Sequence, residues 1–272
     1  MGSLDRGARL RLGAMTASPD ADLRVANDHG SPVVVFAHGA MDRGSTWDKV
    51  RRRLDHMSTL AYDRRGYAGS VDLPFSGDAF ADHVGDLKTL LAAHTDGRPV
   101  VLVGHSAGSN IVLAVAQSEP TVVCAAVVFE PPMPWAPWWP SSAGGSTLAV
   151  HAELGPEAAA EAFMRRIVGD RVWDRLPETT RQARRREGTA LYEDLSTLRG
   201  RPVQFDHNAI VVPVVVGRGD RSLPHHREAS AATAAAIPRS VLVDLPEQGH
   251  GAHASDPAGF VGLIELALTL SS

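Results

Sequence analysis

The sequence predicts an α/β protein built on a doubly wound, mostly parallel sheet. Short runs of β-branched and other apolar residues recur along the chain, and segments with helical periodicity lie between them. The runs are continuous rather than alternating, which is typical of strands whose two faces are both covered by helices. Strands that alternate with helices favour parallel pairing, and 272 residues are enough to bury a large core.

Six runs are the predicted strands. They are residues 32–39, 58–66, 99–106, 124–132, 211–220 and 240–250. Helices are predicted over 46–54, 79–94, 109–118 and 257–270, among which 79–94 places apolar residues at steps of three and four. The order of these elements is that of a sheet with helices on both faces.

One stretch interrupts the alternation. Residues 133–208 contain no convincing strand, but they contain two helical segments, 156–169 and 171–198. We predict that residues 1–132 and 209–272 form the α/β core and that 133–208 form a helical cap. An insertion after the carboxyl end of a strand lies over the edge where open α/β sheets bind ligands, so a lid is expected.

The composition excludes several classes of protein. The 27 basic and 31 acidic residues give a net charge of −4, which disfavours a nucleic-acid partner. A single cysteine, Cys124, cannot form an internal disulfide. No apolar run reaches the roughly 18 residues of a membrane span, and no signal peptide is visible. We therefore expect a cytoplasmic protein without a membrane span, whose oligomeric state the sequence leaves open.

The pentapeptide "GHSAG" (104–108) is the strongest chemical signal, because it follows a strand and opens a helix. A turn this tight puts Ser106 in a strained conformation, and Gly104 and Gly108 leave room for the neighbouring strand and helix. The N-terminus of the helix also supplies N–H groups near the hydroxyl. We predict that Ser106 is a nucleophile.

A serine nucleophile needs a base and a carboxylate that orients it. His250, after the last strand and Gly249, is the preferred base, and His253 is its competitor. Asp220 follows a strand and gives the chain order Ser, Asp, His, so it is the preferred acid. Glu130, at the end of the preceding strand, is the alternative acid.

An oxyanion intermediate requires hydrogen-bond donors. The backbone N–H groups of Ala40, in the loop after the first strong strand, and of Ala107, after the serine, are the expected pair. Met41 is an alternative to Ala40, because a shift of one residue is compatible with the same loop.

These motifs, taken together, resemble the α/β-hydrolase superfamily. The resemblance runs along nearly the whole chain, through "HGAMDRGSTW", "AYDRRGYAGS", "VGHSAGS", "VVVGRGD" and "QGHGAHASDPAGF". It implies a mobile cap over 133–208 and a structural, non-catalytic turn at 62–70. Because Ser106 stands at the nucleophile position, the members that use an aspartate nucleophile are disfavoured. The family hosts many chemistries on one fold, so the resemblance leaves the substrate undefined.

The expected function is hydrolysis of an ester, lactone or thioester of a small, mostly apolar molecule. C–C bond hydrolysis or acyl transfer by the same triad is one alternative, and a non-catalytic small-molecule receptor is another. Side chains expected to contact the substrate are Met41, His105, Trp135, Trp138, Trp139, Phe163 and Met164. No metal or organic cofactor is implied, and the adjacent His225 and His226 are read as loop residues rather than ligands.

Overall fold

A computed structural model describes residues 18–25, 31–199 and 203–272. Its sheet has seven strands in the spatial order β1-β3-β2-β4-β5-β6-β7. The strands are β1 (Ala21–Arg24), β2 (Val33–Ala37), β3 (Thr59–Tyr62), β4 (Val100–His105), β5 (Val123–Phe129), β6 (Val214–Gly219) and β7 (Ser240–Leu245). Every neighbouring pair is parallel except β1 with β3. The predicted α/β class and mostly parallel sheet are confirmed, and all six predicted strands are present.

Helices cover both faces of this sheet. Those outside the long insertion are α1 (Asp48–Arg51), α2 (Ala79–His94), α3 (Ala107–Ser118), α9 (Pro224–Ala236), α10 (Ala252–Ser255) and α11 (Pro257–Ser271). The sequence did not predict α9, whose alanine-rich segment has high helix propensity but little apolar periodicity. It also missed β1, the short antiparallel edge strand.

The continuous apolar strands have a simple structural reason. In β2, Val33 and Val35 belong to one buried cluster, whereas Val34 and Phe36 belong to another on the opposite face. Successive side chains point to opposite faces of a strand, so a sheet covered by helices on both sides needs apolar residues at every position.

Among the described residues between β5 and β6, where the cap is predicted, there are five α-helices. They are α4 (Ser142–Leu154), α5 (Pro156–Val168), α6 (Asp170–Trp173), α7 (Glu178–Arg186) and α8 (Gly188–Ser196). The predicted helical segment 171–198 falls into three helices, because Pro177 cannot continue a helix and because a second break falls at Glu187. The domain boundaries at 133 and 208 stay a prediction. No described helix is both long and apolar enough to cross a membrane.

Candidate active site

Ser106 occupies the sharp turn between β4 and α3. Its backbone has φ 51° and ψ −124°, a conformation that L-residues rarely adopt. A Cβ on Gly108 would lie 2.4 Å from the carbonyl oxygen of Ala37, and one on Gly104 would lie 2.6 Å from the Cα of Ser109. Both glycines are therefore needed for close backbone approach. Ser106 is partly exposed at the carboxyl edge of the sheet.

A buried carboxylate holds the histidine that follows β7. His250 Nδ1 donates to Glu130 Oε2 at 2.6 Å, and the other carboxylate oxygen accepts the Gly219 N–H at 2.8 Å. Glu130 is completely buried and has φ 51°. The strained backbone at the end of β5 thus aims this side chain at His250, whose ring remains one-third exposed.

Asp220, the preferred acid in the sequence analysis, is not the carboxylate that contacts His250. It is exposed in the loop after β6, and the side chain that contacts His250 Nδ1 belongs to Glu130. Glu130, rather than Asp220, meets His250 for a topological reason. Strand β5 lies between β4 and β6, so its end is one strand nearer to Ser106. The loop before His250 crosses the end of β6, where a Cβ on Gly219 would lie 2.2 Å from the Gln248 oxygen.

His105, predicted to contact substrate, is buried beneath the turn. Its Nε2 donates to the backbone oxygen of His250 at 2.8 Å, and its ring centroid lies 4.6 Å from that of His250. The residue before Ser106 therefore joins the turn to the histidine loop. Burial, and then the charges of His253 and His250, hold the pKa of His105 well below its usual value.

His253, the competitor for the role of base, belongs to a separate group. It is 5% exposed, and its Nε2 lies 3.3 Å from Asp42 Oδ2. The structure thus pairs His250 with a fully buried carboxylate and His253 with the partly exposed Asp42. Asp42 was not singled out in the sequence, because a single acid in the "HGAMDRG" loop carries no pattern.

His226 also lies against the candidate base. Its ring stacks on His250 with centroids 4.3 Å apart and an angle of 19° between the planes. Burial lowers the pKa of His226 to about 2, and charge on His250 and His225 adds to the effect. His226 therefore stays neutral and offers His250 an uncharged ring face. The adjacent histidine pair gave no signal of this contact in the sequence.

Two backbone donors near Ser106 are unengaged. Within the described residues, the N–H groups of Ala40 and Ala107 donate no hydrogen bond. The first residues of a helix have no intrahelical acceptor, which leaves Ala107 free to bind an anion. Gly39 brings the Ala40 loop against the turn, since a Cβ on Gly39 would lie 3.2 Å from Ser106 Cβ. In the part of the chain that the structure describes, the Met41 N–H also donates no hydrogen bond, so Ala40 and Met41 both remain candidates for the second donor.

Comparison with known proteins identifies the family. Residues 34–263 match the model of the Alpha/beta hydrolase family. The chain belongs to this family. No curated protein matched the sequence significantly.

Solved structures of α/β hydrolases share the fold at low sequence identity. The enol-lactonase from Burkholderia xenovorans LB400 has a TM-score of 0.72 at 19% identity, with 92% of this chain and 97% of that chain covered. A structure from work on carboxylesterases of Nitrososphaera gargenis has a TM-score of 0.73 at 19% identity, covering 96% and 98%. A thermophilic esterase from Thermogutta terrifontis has a TM-score of 0.66 at 22% identity, covering 92% and 93%. At these identities the similarity concerns the fold.

The side chains predicted to line the substrate chamber of this α/β hydrolase do not form one wall. Trp135 packs edge-on against Phe205, and Trp139 packs edge-on against His225. Trp138 is 36% exposed. Met41, Phe163 and Met164 instead join the cluster that attaches the inserted helices to the loop after β2.

A small cavity of about 20 Å³ lies next to the turn. Its walls come from α2, the start of α3 and α8. The lining residues are Ala79, Phe80, His83, Ala107, Ile111, Glu193, Asp194, Thr197 and Leu198. None of the seven side chains that the sequence analysis assigned to the substrate is among them.

Beside this cavity, a buried ion pair joins the core to the inserted helices. Arg64 donates to both oxygens of Asp194, at 2.9 and 2.6 Å, and its Nε donates to the carbonyl of His38. Tyr67 Oη donates to Asp194 at 2.6 Å. The turn at 62–70, which the family resemblance marks as structural, therefore anchors α8 and the loop of Ala40 together.

Proposed function

We propose that this α/β hydrolase is a serine hydrolase that cleaves carboxylic esters or lactones of small, mostly apolar molecules. The observation that carries the proposal is the strained Ser106 turn beside the His250–Glu130 pair. A serine held at φ 51° has no evident structural use, and strain of this kind clusters at active sites.

In the proposed reaction, Ser106 Oγ attacks the substrate carbonyl while His250 Nε2 accepts the hydroxyl proton. Glu130 accepts a hydrogen bond from His250 Nδ1–H, which fixes the tautomer of His250 and stabilises its imidazolium form. The N–H groups of Ala107 and of Ala40 or Met41 donate to the oxyanion. His250 then protonates the leaving alkoxide, and an acyl-enzyme forms. Water, deprotonated by His250, releases the acid and regenerates Ser106.

The cavity beside Ala107 is small. Ala79, Phe80 and Ile111 give it an apolar wall, and its volume of about 20 Å³ is far below the roughly 300–1,000 Å³ of most ligand pockets, which disfavours long acyl chains. We therefore expect acetate and butyrate esters to react faster than laurate esters.

A series of p-nitrophenyl esters, from acetate to laurate, tests the proposal with wild type and Ser106→Ala. We expect turnover by the wild type and a loss of at least about 10³-fold in kcat for the variant. A fluorophosphonate should label wild type at Ser106 and leave the variant unlabelled. Equal turnover by both proteins would overturn the assignment.

The two alternatives predict different results in the same assay. If the fluorophosphonate labels Ser106 and no ester is hydrolysed, a C–C hydrolase or an acyltransferase becomes the better description. If labelling and turnover are both absent, the protein is better described as a small-molecule receptor.

A further inference from the structure

A second cluster of ligand-type side chains lies behind the turn and outside the proposed triad. Asp42, His105 and His253 each offer one nitrogen or oxygen atom, and these atoms lie within 4.8 Å of one another. His253 Nε2 and Asp42 Oδ2 are 3.3 Å apart. That is about the separation of two ligand atoms that each lie roughly 2.0–2.1 Å from a tetrahedral zinc ion.

The outer contacts of the cluster orient its members toward one another. Asp42 Oδ1 accepts hydrogen bonds from Arg43 N–H and from the Thr46 hydroxyl, which leaves Oδ2 directed at His253. His105 gives its Nε2–H to the backbone oxygen of His250. Metal-bound histidines usually donate their other N–H to a carbonyl or carboxylate in this way, which fixes the tautomer and frees the ligating nitrogen.

That freed nitrogen has no partner in the described part of the chain. His105 is 6% exposed, and its Nδ1 accepts no hydrogen bond. His253, which is 5% exposed, directs its Nε2 at Asp42. A buried polar atom without a partner costs about 1–3 kcal/mol, so the His105 Nδ1 points to a ligand that completes the cluster.

We propose that Asp42, His105 and His253 bind one divalent transition-metal cation, with Zn²⁺ the best match. Two imidazoles and one carboxylate are a donor set that zinc takes, with water in the fourth position. Mg²⁺ and Ca²⁺ prefer sets made only of oxygen atoms. The ion would link three loops that carry the proposed catalytic groups, since Asp42 follows Met41, His105 precedes Ser106 and His253 follows His250.

A second group of similar composition, Glu130, His226 and His250, fits a metal less well. The His226 and His250 rings are stacked, with only 19° between their planes. Nitrogen lone pairs lie in the plane of the ring, so two stacked rings cannot both aim at one ion. The rings of His105 and His253 are inclined by 44°.

Calorimetric titration of the chelator-treated, full-length protein with ZnCl₂ tests the proposal. We expect one Zn²⁺ per chain and an affinity reduced by at least about 10-fold in His253→Gln and in Asp42→Asn, because each removes a ligand. His226→Gln is the matched control, since it removes an imidazole from the other group, and its affinity should stay within about twofold of wild type. Titration with Co²⁺ should give the visible absorption of a four-coordinate ion in wild type and His226→Gln.

Two results would overturn this assignment. One is a folded wild type that takes up no Zn²⁺ or Co²⁺. The other is loss of binding in His226→Gln with binding retained in His253→Gln, which would place the ion at the Glu130 group. Circular dichroism checks that each variant is folded, and if His253→Gln does not fold, Asp42→Asn carries the same comparison. These readouts do not depend on esterase activity, so failure here leaves the proposed function intact.

Discussion

Two buried carboxylates sit near the candidate nucleophile, and their partners differ in kind. Asp194, 4% exposed, has both oxygens on the permanent cation of Arg64. Glu130, 0% exposed, has one oxygen on the Gly219 N–H and the other on His250. The negative charge of Asp194 is therefore balanced by Arg64 at every stage of a reaction. Glu130 faces a ring that gains a positive charge only when it accepts a proton, which is the arrangement that catalysis uses.

The pKa of Asp194 follows from this compensation. Burial alone would raise it, but the charge of Arg64 and hydrogen bonds from Arg64 and His83 together hold it well below the usual value. The carboxylate therefore stays ionised throughout the working range of pH, and we assign the Arg64–Asp194 pair to stability. The comparison predicts that replacing Glu130 lowers catalytic activity, whereas replacing Asp194 lowers the stability of the fold.

The largest expected effect is on catalysis, from Glu130→Gln. The amide can offer its nitrogen to His250, which would favour the wrong tautomer, and a change of this kind in a serine triad costs about 10⁴-fold in kcat. Asp220→Asn is the matched control and should leave kcat within about twofold. Initial rates on p-nitrophenyl acetate measure both variants. A loss in Asp220→Asn with Glu130→Gln unaffected would restore Asp220 as the acid.

The second effect is on stability, from Asp194→Asn. The substitution leaves the Arg64 guanidinium buried without its counter-charge, and breaking a buried pair in this way costs about 3–5 kcal/mol. Urea unfolding followed by circular dichroism measures the free energy of unfolding. Tyr67→Phe separates the hydrogen bond from the ion pair, because it removes only the hydroxyl donor and should cost about 1–2 kcal/mol. Equal losses in the two variants would contradict a dominant role for the ion pair.

The two carboxylates also show which parts of the site can be predicted from the sequence alone. Ser106 was predicted because its signal is local: a strand, two glycines and a helix in eleven residues or so of continuous chain. Helix α2 was predicted with its observed bounds, 79–94, for the same reason. Glu130 remained only an alternative, because its contact with His250 depends on the order of the strands and on the path of a loop. Strand β5 has to lie between β4 and β6, and the loop before His250 has to cross Gly219. Asp194 and Asp42 carried no local pattern at all.

A third prediction concerns pH, and it separates Asp194 from the buried histidines. The contribution of Asp194 is fully present above its unfolded value of about 3.9, and it is lost only as pH falls through the depressed folded pKa. Burial, and then the charge of Arg64, lowers the pKa of His38 from 6.5 to about 3. The unfolded chain therefore binds more protons than the native protein between these two values, so stability falls as pH is lowered through that window.

For His38 the expected loss is on the order of 3 kcal/mol between pH 6.5 and pH 4. Urea unfolding at several pH values across this window measures it. His38→Gln should reduce the slope of the pH dependence, because glutamine does not titrate, although the other buried histidines still contribute. His56→Gln, at a side chain that is 63% exposed, is the matched control and should leave the slope unchanged. An unchanged slope in His38→Gln would mean that other groups carry the acid sensitivity.

The smallest expected effect comes from a second Arg–Asp pair that joins the same two parts of the chain. Arg186, at the end of α7, donates to Asp72 at 2.7 Å, but the two side chains are 57% and 86% exposed. Water and salt screen this pair, and the cost of ordering two side chains offsets most of the attraction, so Asp72→Asn should change the free energy of unfolding by less than about 0.5 kcal/mol. The same urea experiment as for Asp194→Asn checks this value. Each variant removes one carboxylate from an Arg–Asp pair that links the core to the inserted helices. The difference between their free energies of unfolding therefore measures the contribution of burial. If Asp72→Asn proved as destabilising as Asp194→Asn, the number of links to the inserted helices, rather than the burial of one of them, would determine how firmly these helices are held.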